Sequence, residues 1–147
     1  MTVEEWAAHK KKKDNERCAR WNARNPGKSK AALRKRRAEN PWYQSLFGCG
    51  QRARDNGLAY DLTTEWARQT YTGLCVLTAV PFIVSAQSPA SKSGIRPYSP
   101  SIDRINPLKG YTQDNCRWVL SAVNSFKGEM SDAEMLTLAK ALVDRNS

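Results

Sequence analysis

Residues 98–128, YSPSIDRINPLKGYTQDNCRWVLSAVNSFKG, constrain the fold more than any other part of the chain. YSPSIDRI alternates in polarity and predicts a strand. NPLKGYTQDN carries Pro107 and Gly110 and predicts a loop. CRWVL predicts a second strand, and SAVNSFK a helix stopped by Gly128. A strand, strand, helix unit this short must fold back on itself. That brings the end of the first strand, Asp103, opposite Asn124 on the helix.

One carboxylate and one amide oxygen make half a shell for a hard divalent cation. Mg²⁺ takes oxygen ligands, few of them from protein, and fills the rest with water or phosphate. A cation so held stabilises charge on a phosphate and its leaving oxygen. Asn115 opens the second strand, and Lys127 lies one helical turn beyond Asn124.

The preceding residues divide by character. Residues 3–24 and 28–40 read as two basic helices, each closed by an Asn-Pro pair that disfavours further helix. Neither has a wide apolar stripe, so both are polar nearly all round, with Trp6, Trp21 and Leu33 as isolated anchors. From Pro41 the composition turns apolar, and Trp42, Tyr43, Leu46 and Phe47 can form one helix face. Residues 58–62 predict a short strand. Thr63 caps a helix reaching about Tyr71. Leu74–Leu77 and Phe82–Val84 predict strands, and residues 85–97 a flexible loop rich in Ser, Pro and Gly. Ser131 and Glu134 form a capping box opening a last helix. Its Met135, Leu138, Ala139 and Leu142 recur at helical spacing and read as core.

Charge separates the same two parts. Residues 1–54 carry 15 Lys and Arg against 5 Asp and Glu, whereas residues 55–147 carry 9 of each. The whole excess of +10 therefore sits in the first third. Such a footprint points to a polyanion, most often nucleic acid, bound with counterion release and hence salt sensitivity. Arg34, Lys35, Arg36 and Arg37 form its densest cluster, continued by Arg52 and Arg54. Other classes are disfavoured. The longest apolar run, LCVLTAVPFIV, is too short to span a membrane. No apolar segment follows the first charges, so a cytoplasmic location is expected rather than secretion. The four cysteines are scattered without a C-x-x-C pair, so no zinc is expected.

The segment 101–127 resembles the ββα-metal core of the HNH, or His-Me finger, nucleases. It is most similar to the phage and bacterial branch with the pattern S-x-D-R-I-x-x-x-K-G-Y-T-x-x-N-x-x-W-V-x-x-x-x-N-x-x-K. Ser101, Asp103, Arg104, Ile105, Lys109, Gly110, Tyr111, Thr112, Asn115, Trp118, Val119, Asn124 and Lys127 carry the match. ARDNGLAYDLTTE and GLCVLTAVPF resemble the lead-in of that branch, extending the likeness over roughly residues 50–130. The resemblance implies an α+β fold: a ββα-metal core at about 98–128 within a nuclease domain of residues 42–147, added helices, and a basic helical arm over 1–41. It implies Asp103 and Asn124 as ligands of Mg²⁺ or Mn²⁺ and Asn115 as the pin of the inter-strand loop. Lys109 and Lys127 would stand near phosphates. Trp118 would pack under the helix, with Ile102, Ile105, Val119 and Val123 in the core.

One position departs from the wider superfamily. A histidine generally follows the first Asp and activates the attacking water, but here Arg104 follows it. A guanidinium keeps its proton, so it is a poor general base. The one histidine of the chain, His9, lies in the arm. Three readings stay open. Metal-bound water can serve without a side-chain base, with Arg104 clamping a phosphate. Tyr111 or Tyr98 can act as base or nucleophile. Or the site is silent and the fold is kept for binding. The function implied is a divalent-metal-dependent endonuclease of double-stranded DNA, with a silent DNA-binding or packaging-associated protein as the alternative. A homodimer and phage packaging machinery are candidate partners, in a bacterial host if the chain is phage-encoded.

Overall fold

The computed structural model describes residues 1–84 and 96–147, except the side chains of Ser29 and Arg37. Most of the loop expected over 85–97 thus lies outside the described residues, as does the side chain of the candidate contact Arg37. The chain divides into two compact units, Met1–Arg36 and Arg37–Ser147. No helix among the described residues is long and apolar enough to cross a membrane.

The first unit is helical. Helix α1 (Val3–Arg24) starts in a capping box between Thr2 and Glu5 and has no buried residue. It stops at Asn25, before Pro26 and a left-handed Gly27 (φ 84°). Helix α2 (Lys28–Glu39) runs across the division between the units. Arg34, Lys35 and Arg36 stand exposed on it.

The second unit contains α3 (Tyr43–Asp55), α4 (Thr64–Thr70), β1 (Pro100–Arg104), β2 (Cys116–Leu120), α5 (Ser121–Lys127) and α6 (Asp132–Asn146). The strands form an antiparallel pair with Ile102 opposite Trp118 and Asp103 opposite Arg117. Strand alternation then sorts the side chains. Ile102, Cys116 and Trp118 face α3 and α4, where they join Trp42, Leu46, Cys49, Ala53, Trp66 and Tyr111 in the main core. Trp118 stacks on Trp66 (ring centres 5.6 Å apart) and meets Tyr71 edge-on. The other face of the pair turns toward α5.

The register also decides what the free edge of β1 offers. Ile105 N–H donates to the Asn115 carbonyl, so 101, 103 and 105 pair across the sheet while 100, 102 and 104 point away from it. Their outward carbonyls are all taken by side chains. Ser45 Oγ donates to Pro100 (2.7 Å), Asn124 Nδ2 to Ile102 (3.3 Å) and Lys127 Nζ to Arg104 (2.7 Å).

Four sequence expectations are corrected. Residues 58–62 form a single parallel bridge, Tyr60 with Tyr111, in place of a strand. Tyr111 exchanges hydrogen bonds with Ala59 and Asp61, and the turn from Thr112 to Asn115 then carries the loop away. Leu74–Leu77 and Phe82–Val84 reduce to one bridge, Leu74 with Pro81, because the chain turns back at once through the Ala79 N–H bond to the Cys75 carbonyl and Ile83 N–H donates instead to the Tyr98 carbonyl. Ile105 is exposed, just past the end of β1. On α6 only Met135 is buried, while Leu138 (49 %) and Leu142 (57 %) are exposed. Its neighbour α5 is 7 residues long, less than half the 15 residues of α6.

Candidate active site

Ser101 and Asp103 project from β1 toward α5, and the carboxylate of Asp103 is 2 % exposed. Burying it is costly unless it is paired. Two cations pair it. Arg117, directly across the sheet, brings Nε (2.9 Å) and Nη2 (2.8 Å) to Oδ2. Lys127, in the last turn of α5, brings Nζ to Oδ1 at 2.9 Å. Arg117 also donates Nη1 to Asp132 Oδ2 (2.7 Å) at the start of α6. The cluster holds two carboxylates and two cations, is neutral in sum, and ties β1, β2, α5 and α6 together.

Lys127 therefore does not stand where the resemblance implies. It is 1 % exposed, and its ammonium is held by Asp103 and by the carbonyls of Arg104 (2.7 Å) and Ile105 (3.4 Å). A phosphate cannot reach it without opening that nest.

The Arg117 bond holds Asp132 below the usual carboxylate range, with burial opposing. Its folded value lies under its unfolded one, so its stabilisation is complete above the ordinary carboxylate range and is lost as pH falls through the depressed value. Thermal melts across pH should therefore show wild type above Asp132→Asn at neutral pH, with the gap closing in acid. A gap that persists at low pH would contradict this assignment.

Arg104 leaves β1 on the opposite face from Asp103. Its guanidinium lies over the Tyr111 ring, 5.1 Å from the centre, and donates Nη1 to the Lys109 carbonyl (3.1 Å). Arg52 approaches the same ring from α3 at 5.6 Å, donating Nε to the Tyr111 hydroxyl (3.0 Å) and Nη2 to Cys49 Sγ (3.1 Å). Two arginines thus share one aromatic ring, an arrangement that fixes guanidinium planes by cation–π attraction. Each still has donors left for a ligand. Lys109 is exposed on the loop, and Arg54 is exposed on α3, where it bonds Gln51.

Asn115 is buried and closes the inter-strand loop. Its Nδ2 donates to the carbonyls of Asn106 (3.1 Å) and Gly110 (2.9 Å), and its Oδ1 accepts from Asn106 N–H (3.0 Å). Gly110 lies so close to residue 59 that a Cβ there would stand 2.3 Å from the Ala59 carbonyl oxygen. Asn124 turns its Nδ2 to Ser101 Oγ (2.8 Å) and the Ile102 carbonyl, and its Oδ1 accepts no hydrogen bond among the described residues.

These parts border a cavity of about 220 Å³ lined by Arg52, Ser101, Asp103, Arg104, Tyr111 and Asn124, among others. Tyr98, exposed ahead of β1, does not line it. His9 belongs to α1 of the other unit. Arg117 and Asp132 were not singled out from the sequence, because the strand register that sets residues 103 and 117 opposite is seen only in the structure. The thiols of Cys49 and Cys116 are poor candidates for chemistry. Burial pushes Cys116 up to about 12, helped by Cys49 and Asp103, and burial raises Cys49 as well.

The donor set fits a hard cation sparsely. Among the described residues no three His, Cys, Asp or Glu side chains gather to hold a metal. A carboxylate has about four lone-pair positions. Lys127 and the two Arg117 nitrogens take three on Asp103, leaving one, together with the Asn124 amide oxygen. A cation with two protein ligands and otherwise water or phosphate ligands suits that set.

No family model matches the chain, and no curated protein matches it. Among solved structures it is similar to the rare-cutting HNH restriction endonuclease PacI, with 17 % identity over 69 % of this chain and 76 % of that one and a TM-score of 0.50. The helices packed about a small antiparallel strand pair give the chain an HNH-like α+β fold.

Proposed function

We propose that the chain is a divalent-metal-dependent endonuclease acting on double-stranded DNA. The observation that carries this reading is the cavity where Arg52 and Arg104 flank Tyr111 beside Asp103 and Asn124. Its likeness to the phage-type branch rests on the motif around Asp103, and a cytoplasmic setting goes with that reading. The similar structure is that of a restriction endonuclease, which favours a nuclease over other uses of such a cavity.

Asp103 and Asn124 would hold Mg²⁺ or Mn²⁺, which when bound supplies Lewis-acid stabilisation of the phosphate and lowers the pKa of water. Arg104 and Arg52 bind the phosphate oxygens and stabilise the charge that develops on them. Asn115 keeps the loop carrying Lys109 and Tyr111 in shape. Tyr111 acts as the platform for both arginines. Arg34, Lys35, Arg36, Arg37 and Arg54 follow the DNA backbone, with residues 1–41 serving as the arm and 42–147 as the nuclease domain. Cutting both strands needs a second copy or a second visit.

The test is cleavage of supercoiled plasmid with Mg²⁺ or Mn²⁺ by wild type, Arg104→Ala and Asn124→Ala, with melting curves to verify folding. Each variant is expected to lose about 10²–10³-fold in rate, as when one donor to a developing oxyanion is removed. Asp103→Ala is a poorer control, because it strands Lys127 in the interior. Cleavage at one rate by all three proteins would refute the assignment, and none by folded wild type would refute the activity. In that second case salt-sensitive DNA binding would support a silent binding protein, a reading favoured by the lack of an imidazole at the cavity.

A further inference from the structure

We infer that the cavity is a phosphate site first, and that a divalent cation binds there at least about tenfold more tightly together with a phosphodiester than alone. This deepens the endonuclease reading and rests on it. The fixed charges around the cavity are the ground. Of the lining residues two are cations, Arg52 and Arg104, and one is an anion, Asp103. That anion is already held by two further cations, Lys127 at 2.9 Å and Arg117 at 2.8 Å. The second carboxylate of the cluster, Asp132, bonds Arg117. A divalent cation arriving alone meets a wall of net positive charge and two available oxygen ligands.

An anion meets the reverse. The donors of Arg52 and Arg104 that Tyr111, Cys49 and Lys109 leave over are within its reach. The N–H groups of Ile102 and Arg104 also leave β1 from its unpaired edge, while the acceptors on that edge are covered by Ser45, Asn124 and Lys127. A bound phosphodiester brings one negative charge and non-bridging oxygens. It thereby offsets the surplus of cations and completes the ligand set that Asp103 and Asn124 leave short. Mg²⁺ commonly borrows ligands from substrate phosphate in this way. Linkage makes the effect mutual, so the cation must tighten DNA by the factor by which DNA tightens the cation.

The experiment titrates Mn²⁺ into the full chain at fixed ionic strength, following free Mn²⁺ by electron paramagnetic resonance, with and without a short duplex and with duplex-only controls. Fluorescence anisotropy of the same duplex with and without Ca²⁺ measures the reciprocal term. The free chain should bind Mn²⁺ at least about tenfold more weakly than the complex, within the usual span of about 5–150-fold for coupled sites. Arg104→Gln should move the two affinities in opposite directions, tightening Mn²⁺ on the free chain while weakening DNA. Equal Mn²⁺ affinity with and without duplex would overturn the coupling and leave metal dependence intact. Mn²⁺ bound in neither state would overturn both. A variant weakened toward both ligands would overturn the charge argument.

Discussion

Lys127→Met is expected to lower the stability of the folded chain by about 3–5 kcal/mol, the usual result of removing one partner of a buried ion pair. Lys127 is 1 % exposed and Asp103 2 %, so water cannot replace the lost ammonium. The carboxylate is left sharing Arg117 with Asp132, and the carbonyls of Arg104 and Ile105 lose a donor. A domain stable by about 5–15 kcal/mol gives up a large share of its margin. Equilibrium unfolding in urea measures the loss. The double variant Asp103→Asn with Lys127→Met should recover part of it, because neither group then remains buried with an unmet charge. A midpoint that stays put in Lys127→Met would show that the ammonium is not held as described.

Gly110→Ala should be nearly as damaging, through shape rather than charge. The added carbon would lie 2.3 Å from the Ala59 carbonyl oxygen and 2.9 Å from its nitrogen and Cβ. The nearest atom is backbone, so no side-chain rotation relieves the clash. Separating the chains breaks the Tyr111 N–H bond to Ala59 (2.9 Å) and shifts the ring shared by Arg52 and Arg104. A loss of about 3 kcal/mol is expected, the upper end for overpacking, together with weaker binding of DNA. Gly57→Ala makes a fair comparison. Gly57 has φ 62° but open space around it, so only the conformational cost of about 1–2 kcal/mol applies. Equal melting points for the two variants would mean that the close approach at Gly110 is not real.

Much of the second unit could be read in advance because its signals are local. Gly128 after Lys127, the Ser131–Glu134 box and the Thr63 cap each mark a boundary within a few residues, and all three stand at helix ends. The strand pair followed from alternation on either side of a loop with Pro107 and Gly110. Pairing over longer distances was another matter. Residues 58–62 have a strand's composition, yet only Tyr60 finds a partner, and nothing nearby in the chain could announce that. The apolar spacing of α6 misled for a similar reason, since it reports a face and not what covers that face.

The site divides along the same line. Asp103 and Asn124 were singled out by residue type and spacing, Arg104 and Tyr111 through the resemblance, and the four share one cavity. The partners of Asp103 were harder to see. Lys127 reads as a cation free for phosphate until the helix carrying it is laid against β1, which turns its side chain inward. Arg52 was noted only as part of a basic surface. Its place beside Tyr111 depends on how α3 packs across the sheet, which residue spacing does not encode.

The covered edge of β1 has a consequence for assembly. A strand from another molecule can join a sheet only where both N–H and C=O groups are open to it. Along β1 the carbonyls of Pro100, Ile102 and Arg104 are spoken for. On the far side Val76 N–H already donates to the Trp118 carbonyl (3.0 Å). Strand addition is thereby hindered at both edges, and among the described residues the sheet is two strands wide. A second copy, if one is recruited to cut the opposite strand of a duplex, must be engaged through helices or through the DNA itself.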